Sequence, residues 1–155
     1  MNAVLAAPPA VHTGPHWPLP THMINCDPTY ARHNVYAYAW AVVRIQIEWI
    51  REDGPKFWYL RAGTPSGHVV RVGCCHEAAI VLVAQGRDAN GSPAPLQRDI
   101  AVSSAEITTM ALAVTDGCRA DHDRTKGRAW AKNKEFTVEV FYDDYKCDDR
   151  CWQGD

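Results

Sequence analysis

The chain has 155 residues, of which 46% are hydrophobic and 22% charged, and its net charge is −2. These values are typical of one globular domain that buries its own core. A net charge near zero excludes a globally polybasic protein, so any surface for nucleic acid must be local. The chain contains no apolar run of the roughly 18–20 residues that a membrane-spanning helix needs.

The first ten residues, MNAVLAAPPA, carry no basic charge before a short apolar stretch. A secretory signal peptide needs both a basic start and a longer apolar region, so none is expected here. The chain is therefore either not secreted by the usual route or a mature chain with a new Met.

Residues 1–28 carry six of the ten prolines: Pro8, Pro9, Pro15, Pro18, Pro20 and Pro28. Proline fixes φ and removes a backbone donor, so this segment is predicted to be an extended N-terminal arm. Trp17, Leu19 and Met23 favour packing of the arm on its own domain or on a neighbour. Residues 29–155 are then a single β-rich domain with a short acidic, cysteine-containing C-terminal tail.

The segment VYAYAWAVVRIQIEWIRE fits two structures. Val43, Ile45 and Ile47 alternate with polar residues, which is typical of a half-buried strand, and we favour a strand over 35–51. REDGPK would then turn the chain into a return strand, FWYLRAG. The alternative is a helix within 28–52, with Asp27 as N-cap and Gly54-Pro55 beyond its end.

The remaining apolar runs are short and are separated by turn residues. HVVRVGCC, EAAIVLVAQG, LQRDIAV and KEFTVEVFYDD are each predicted to be strands. Ser103 and Glu106 form a possible capping box for a helix over 104–115. Six or seven short strands favour an all-β sandwich or barrel-like fold. The alternative is an α+β fold with one or two helices, at 28–52 and 104–115.

The six cysteines are candidates for disulfides, for a metal site or for buried thiols: Cys26, Cys74, Cys75, Cys118, Cys147 and Cys151. Adjacent residues of a strand point to opposite faces, so a bond between Cys74 and Cys75 is not expected. Cys147–Cys151 could form a short bridge, and Cys26 could tie the arm to a later cysteine. Cys118, His122, Cys147 and Cys151 could instead make a Cys3His zinc site, the one cofactor the sequence suggests.

The segment RTKGRAWAKNK carries five cations around a tryptophan and is predicted to be a basic loop. Basic and stacking side chains together suit nucleic acid or another polyanion, which makes these residues candidates for binding: Arg124, Lys126, Arg128, Trp130, Lys132 and Lys134. The acidic C-terminal tail could fold onto the same loop.

The aromatic segment FWYL provides a second candidate surface. In a strand Phe57 and Tyr59 share one side and Trp58 points to the other, so at least one ring lies outside the core. Trp58 is included among the candidate binding residues, as a stacking or interface position.

These features favour a non-enzymatic binding or assembly module, either structural and coat-like or host- or receptor-binding. Its partner would be another protein or a second copy of itself. A cysteine-stabilised secreted toxin or effector is one alternative, and a hydrolase or nuclease using His122 with Asp121 or Asp123 is another. No catalytic residue is assigned. The cysteine count favours an extracellular or virion-associated location, and the missing signal peptide keeps a cytoplasmic one open.

Overall fold

The computed structural model describes residues 10–12, 23–27, 36–51 and 56–143. Within these ranges the protein is mostly β, with three sheets and two helices. Of the predicted arm, 10–12 and 23–27 are described, and both pair with strands of the domain. The acidic tail beyond residue 143 lies outside the described ranges.

The largest sheet has five antiparallel strands in the order β2-β10-β11-β6-β5. The strands are β2 (Ile24–Asn25), β5 (Val69–Cys75), β6 (Ala78–Ala84), β10 (Gly127–Trp130) and β11 (Phe136–Tyr142). Strands β6 and β11 pair along their whole length, from Ala84 opposite Phe136 to Ala78 opposite Tyr142. Both strands are buried on both faces, and β6 accordingly is a continuous apolar run, whereas β11 also buries the polar side chains of Thr137 and Glu139.

Two smaller sheets flank this central sheet. One has the order β1-β7-β4, with β1 (Ala10–His12) parallel to β7 (Ile100–Ser103) and β4 (Phe57–Leu60) antiparallel to it. The other has the order β3-β9-β8, from β3 (Ala37–Tyr38), β9 (Arg124–Thr125) and β8 (Arg119–Ala120). The third sheet positions the residues described in the next subsection.

The strand predicted over 35–51 is wrong, because this segment forms helix α1 (Ala39–Arg51) after the two residues of β3. A strand would place Val43 and Ile45 on one face, but Ile45 is fully buried and Val43 is exposed. Burial of Ala41, Val42 and Ile45 follows helical spacing instead. Packing of this stripe against β5, β6 and the second helix outweighs the local preference of its β-branched residues.

Helix α2 (Ser104–Gly117) matches the predicted segment 104–115. The hydroxyl of Ser103 accepts a hydrogen bond of 3.1 Å from the backbone N–H of Glu106, as the capping box predicts. Ile107, Met110, Ala111 and Val114 are buried at the expected spacing. This helix therefore begins where its sequence signal placed it.

The main core lies between the two helices and one face of the central sheet, called here the inner face. Each helix precedes an antiparallel hairpin, β5–β6 after α1 and β10–β11 after α2, and the second strands of the two hairpins pair with each other. Because two helices pack into this core, the β-rich prediction is confirmed in its α+β form. Neither described helix, of 13 and 14 residues, has the length and apolar content to cross a bilayer.

Candidate binding face

Three aromatic side chains project to solvent where β3 leads into α1. Tyr36, Tyr38 and Trp40 are all exposed, and Trp40 most of all, at 48%. The alternating Ala37 and Ala39 are buried, so the extended backbone turns every second side chain outward. Val43, one helical turn after Trp40, is also exposed. These residues form a continuous apolar strip along the start of α1.

Two cations from the neighbouring strand segment lie over these rings. The guanidinium of Arg124 is 4.5 Å from the centre of the Tyr38 ring and donates a 2.9 Å hydrogen bond to the Tyr38 hydroxyl. The ammonium of Lys126 is 4.9 Å from the Tyr36 ring and 3.6 Å from a carboxylate oxygen of Asp27. Pairing of β3 with β9 brings the two segments into this register. The contacts hold both tyrosine rings in fixed orientations.

The turn between β5 and β6 contributes a histidine to the same strip. His76 and Glu77 both have positive φ, 46° and 65°, in a two-residue hairpin turn. The imidazole of His76 packs on the Trp40 ring with 4.8 Å between ring centres. The chain reverses at this residue, so His76 lies outside strand β5.

The turn between β8 and β9 forms the opposite border. The backbone carbonyl of Asp123 accepts a 2.9 Å hydrogen bond from the N–H of Ala39, at the start of α1. The side chain of Arg119 donates to the carboxylates of Asp123 and Asp116, at 2.9 and 3.3 Å. We call the whole surface the Trp40 face and define it by its exposed or half-buried members: Tyr36, Tyr38, Trp40, Val43, His76 and Arg124.

The predicted basic loop over 124–134 is a loop only at its end, because 124–125 and 127–130 form strands β9 and β10. Arg124, Lys126, Arg128 and Trp130 project from one side of β9 and β10, and the residues between them are buried. Arg128 lies 5.4 Å from the Trp130 ring and directly opposite Glu139 in the ladder. Lys126 is only 8% exposed. Three of the five cations, Arg124, Lys126 and Arg128, therefore lie in contacts within the molecule that reduce their availability to a polyanion.

Lys132 and Lys134 are the exposed cations of this segment, in the turn that leads into β11. His122 and its neighbour Asp121 are exposed on the turn after β8, where His122 has a φ of 62°. The exposed lysines and the histidine–aspartate pair therefore lie in two different turns, one before β11 and one after β8.

The aromatic strand β4 divides its side chains as predicted. Phe57 and Tyr59 are exposed, whereas Trp58 and Leu60 are buried. Trp58 belongs to the main core, so the structure places this candidate stacking residue away from solvent. Arg61 covers the Tyr59 ring at 4.9 Å.

The structure decides between disulfides and free thiols for the four cysteines that it describes. Cys26 and Cys118 are bonded, with Cα atoms 5.3 Å apart, so the segment that contains β2 is tied to the end of α2. Cys74 and Cys75 are disulfide-bonded as well, and the described part of the chain holds no free cysteine. The proposed Cys147–Cys151 bridge lies outside the described residues.

The proposed zinc set depended on Cys118, His122, Cys147 and Cys151. The disulfide to Cys26 leaves Cys118 without a thiolate to offer a metal in the oxidised chain. Within the described ranges no group of three or more His, Cys, Asp or Glu side chains is arranged to hold a metal ion.

Sequence reasoning missed Tyr36, Tyr38, Trp40 and Val43 as surface residues. The string YAYAW, in which large aromatics alternate with alanine, was the available signal. Alanine is small enough to pack closely beneath a neighbouring strand, and the large rings then face outward. The strand prediction for 35–51 obscured this pattern, because it assigned these rings to the faces of a longer sheet.

Comparisons of this chain with protein-family models, curated proteins and solved structures give no match.

Proposed function

We propose that the protein is a non-enzymatic assembly module that associates with a second copy of itself through the Trp40 face. The observation that carries the proposal is the strip of exposed aromatics held in place by cations. Tyr, Trp and Arg are the residues most enriched at the energetic centres of protein interfaces. Rings already fixed by Arg124 and Lys126 lose little side-chain entropy when a partner covers them.

Charge around the face favours a second copy over a polyanion. Arg119 pairs with Asp116 and Asp123, and Asp121 and Arg124 belong to the same β8–β9 segment, so both signs occur along one border. In a two-fold dimer the same surface of both copies meets. The cations on the border of one copy can then pair with the carboxylates on the border of the other. A polyanion on this face would be repelled by these carboxylates. Phosphate binding needs cations that are not already neutralised by neighbouring carboxylates.

Sedimentation equilibrium of the oxidised chain over micromolar to millimolar concentrations tests the proposal. We expect a dimer whose dissociation constant rises at least tenfold in Trp40→Ser, in line with the effect of removing a central interface aromatic. Tyr59→Ser is the matched control, because Tyr59 is equally exposed, at 48%, but lies on a different sheet. A wild-type chain that stays monomeric, or a dimer unaffected by Trp40→Ser, would overturn the proposal.

The second candidate is a cystine-stabilised secreted effector that acts on another protein. It is favoured by the oxidation of all four described cysteines, since disulfides persist in oxidising compartments. An effector of this kind would use the same face as a monomer. The sedimentation experiment therefore separates the two candidates: concentration-independent monomers with intact disulfides favour the effector.

A further inference from the structure

The Cys26–Cys118 disulfide lies directly behind the strand segment that borders the Trp40 face. Cys26 follows β2 at once, and Cys118 caps the end of α2 and directly precedes β8. Gly127, the first residue of β10, packs on both cysteines, since a methyl group added there would lie 3.0 Å from the Cα of Cys26 and 3.1 Å from the sulfur of Cys118. The disulfide therefore contacts the residue that follows Lys126.

A series of contacts leads from the disulfide to a tyrosine of the Trp40 face. Asp27 follows Cys26 directly, and one of its carboxylate oxygens lies 3.6 Å from the ammonium of Lys126. The same ammonium lies 4.9 Å from the centre of the Tyr36 ring. The Lys126 side chain is only 10% exposed, so the carboxylate and the ring together hold a nearly buried cation. The position of Cys26 thus sets where this cation is held.

The ladder between β2 and β10 does not extend to Cys26. Pairing ends at Asn25, opposite Arg128, and both Cys26 and Asp27 are exposed beyond it. The N–H of Asp27 donates a 2.8 Å hydrogen bond to the side-chain oxygen of Asn25, which shapes the turn locally. Among the described contacts, the bond to Cys118 is therefore the strongest attachment of Cys26 and Asp27 to the domain.

Exposure distinguishes this disulfide from the oxidised cysteines of β5. Cys26 is an exposed residue, and its partner Cys118 is 6% exposed. Cys74 and Cys75 are disulfide-bonded as well, but both are fully buried. A thiolate opens a disulfide by direct attack on one of its sulfur atoms, so access decides which bond is reduced first. A reductant reaches Cys26 and does not reach the two buried cysteines of β5.

We propose that the Cys26–Cys118 disulfide is a redox switch for the Trp40 face. The bonded form keeps Asp27 against Lys126 and thereby Lys126 over Tyr36. A dithiol reductant opens the bond in two steps. Its thiolate attacks the sulfur of Cys26 and expels the thiolate of Cys118, and its second thiol then displaces Cys26 as the reductant closes its own disulfide. Two electrons and two protons pass to the cysteine pair, which ends as two thiols.

This inference rests on the proposed self-association, because it concerns the affinity of the same face. With the bond open, Lys126 and the Tyr36 ring are no longer held in place before a second copy arrives. Binding must then order both side chains, which should raise the dissociation constant about tenfold. Reduction therefore weakens self-association without changing any residue that a second copy would contact.

Limited reduction of the folded chain with dithiothreitol, followed by alkylation in denaturant and peptide mapping, tests the selectivity of the switch. We expect Cys26 and Cys118 to become alkylated about tenfold faster than Cys74 and Cys75, because burial protects the latter from the attacking thiolate. The two buried cysteines are the control within the same molecule. Alkylation of Cys74 or Cys75 as early as that of Cys26 would overturn the proposal.

Sedimentation equilibrium of Cys26→Ala with Cys118→Ala tests the effect on the face. We expect a dissociation constant about tenfold above that of the oxidised wild type. Asp27→Asn keeps the bond but removes the carboxylate, and it should give a smaller rise. Ser103→Ala is the control, because it removes a helix cap and leaves the bond and the face in place. A cysteine variant that dimerises as tightly as wild type would overturn the proposal.

The reactivity of Lys126 separates failure of this inference from failure of self-association. Acetylation of the dilute chain, followed by mass spectrometry of its peptides, compares Lys126 with exposed Lys132. We expect Lys126 to react slowly in the oxidised wild type and in Ser103→Ala, and to approach the rate of Lys132 in the cysteine variant. Equal protection of Lys126 in wild type and the cysteine variant would overturn the switch, whether or not the chain dimerises. A monomeric wild type whose cysteine variant releases Lys126 would overturn the proposed function and still support control of the face by the disulfide.

Discussion

Gly127 shows how one small residue lets three segments meet. It lies between Lys126 and Arg128 with a φ of 152°, and it faces the Cys26–Cys118 disulfide. A methyl group added here would lie 2.7 Å from the carbonyl oxygen of Asn25 and 3.1 Å from the sulfur of Cys118. Glycine is therefore required for β2 and the disulfide to pack this closely against β10.

Gly127→Ala should lower the free energy of unfolding by about 1–3 kcal/mol, since backbone and a fixed cystine must move to admit the methyl group. Gly91→Ala is the control. Gly91 also has positive φ, at 79°, but has open space around it, so only backbone strain is added there. Urea denaturation of the three oxidised proteins measures the difference. Equal losses in the two variants would show that the close approach at Gly127 carries no energetic weight.

The two helices illustrate local and non-local control at the level of elements. Helix α2 has a cap that its sequence specifies, with Ser103 accepting from the N–H of Glu106 and apolar residues at helical spacing behind it. Helix α1 has no acidic residue in its first turn. Its first backbone N–H, that of Ala39, instead donates to the carbonyl of Asp123, so a distant turn satisfies the start of this helix.

Ser103→Ala should destabilise the protein by about 1 kcal/mol, because the N–H of Glu106 loses its acceptor. Thr109→Ala serves as the control within the same helix. Its hydroxyl donates to the carbonyl of Ala105 at an exposed position, and alanine there should cost nothing or stabilise slightly. Thermal unfolding followed by circular dichroism compares the two. A larger loss in Thr109→Ala than in Ser103→Ala would contradict the assigned cap.

At the scale of the whole molecule, the Cys26–Cys118 bond holds together parts of the chain that are 92 residues apart. It ties β2 to the end of α2, and among the described residues Ile24 and Asn25 alone pair with β10 from this segment. Two ladder residues are too few to hold an edge strand alone. We therefore expect the covalent bond to stabilise the attachment of this segment to the sheet.

Replacing both cysteines, as Cys26→Ala with Cys118→Ala, should lower the free energy of unfolding by about 2–5 kcal/mol, since a long loop is no longer closed in the unfolded chain. Guanidinium denaturation without reductant measures this. The difference in the free energy of unfolding between variant and wild type should disappear when both proteins are fully reduced. A variant as stable as the oxidised wild type would show that β2 is held by its other contacts.

Sequence alone predicted elements whose signals are local. Strands β5, β6 and β11, the capped start of α2 and the opposite orientation of Cys74 and Cys75 follow from periodicity and backbone geometry within a few residues. The division of β4 into exposed Phe57 and Tyr59 and buried Trp58 follows in the same way. Local sequence indicates only part of the Trp40 face, namely the exposed aromatics that alternate with alanine in YAYAW.

Tertiary structure decided what depends on distant partners. The segment 39–51 could alternate as a strand, and packing of Ala41, Val42 and Ile45 on the sheet makes it a helix. The cations of 124–130 read as a solvated loop, and pairing of β3 with β9 lays two of them on tyrosines about ninety residues away. The partner of Cys26 was likewise one of several possibilities. Local periodicity sets which face of a segment is apolar, but only the assembled fold sets what that face meets.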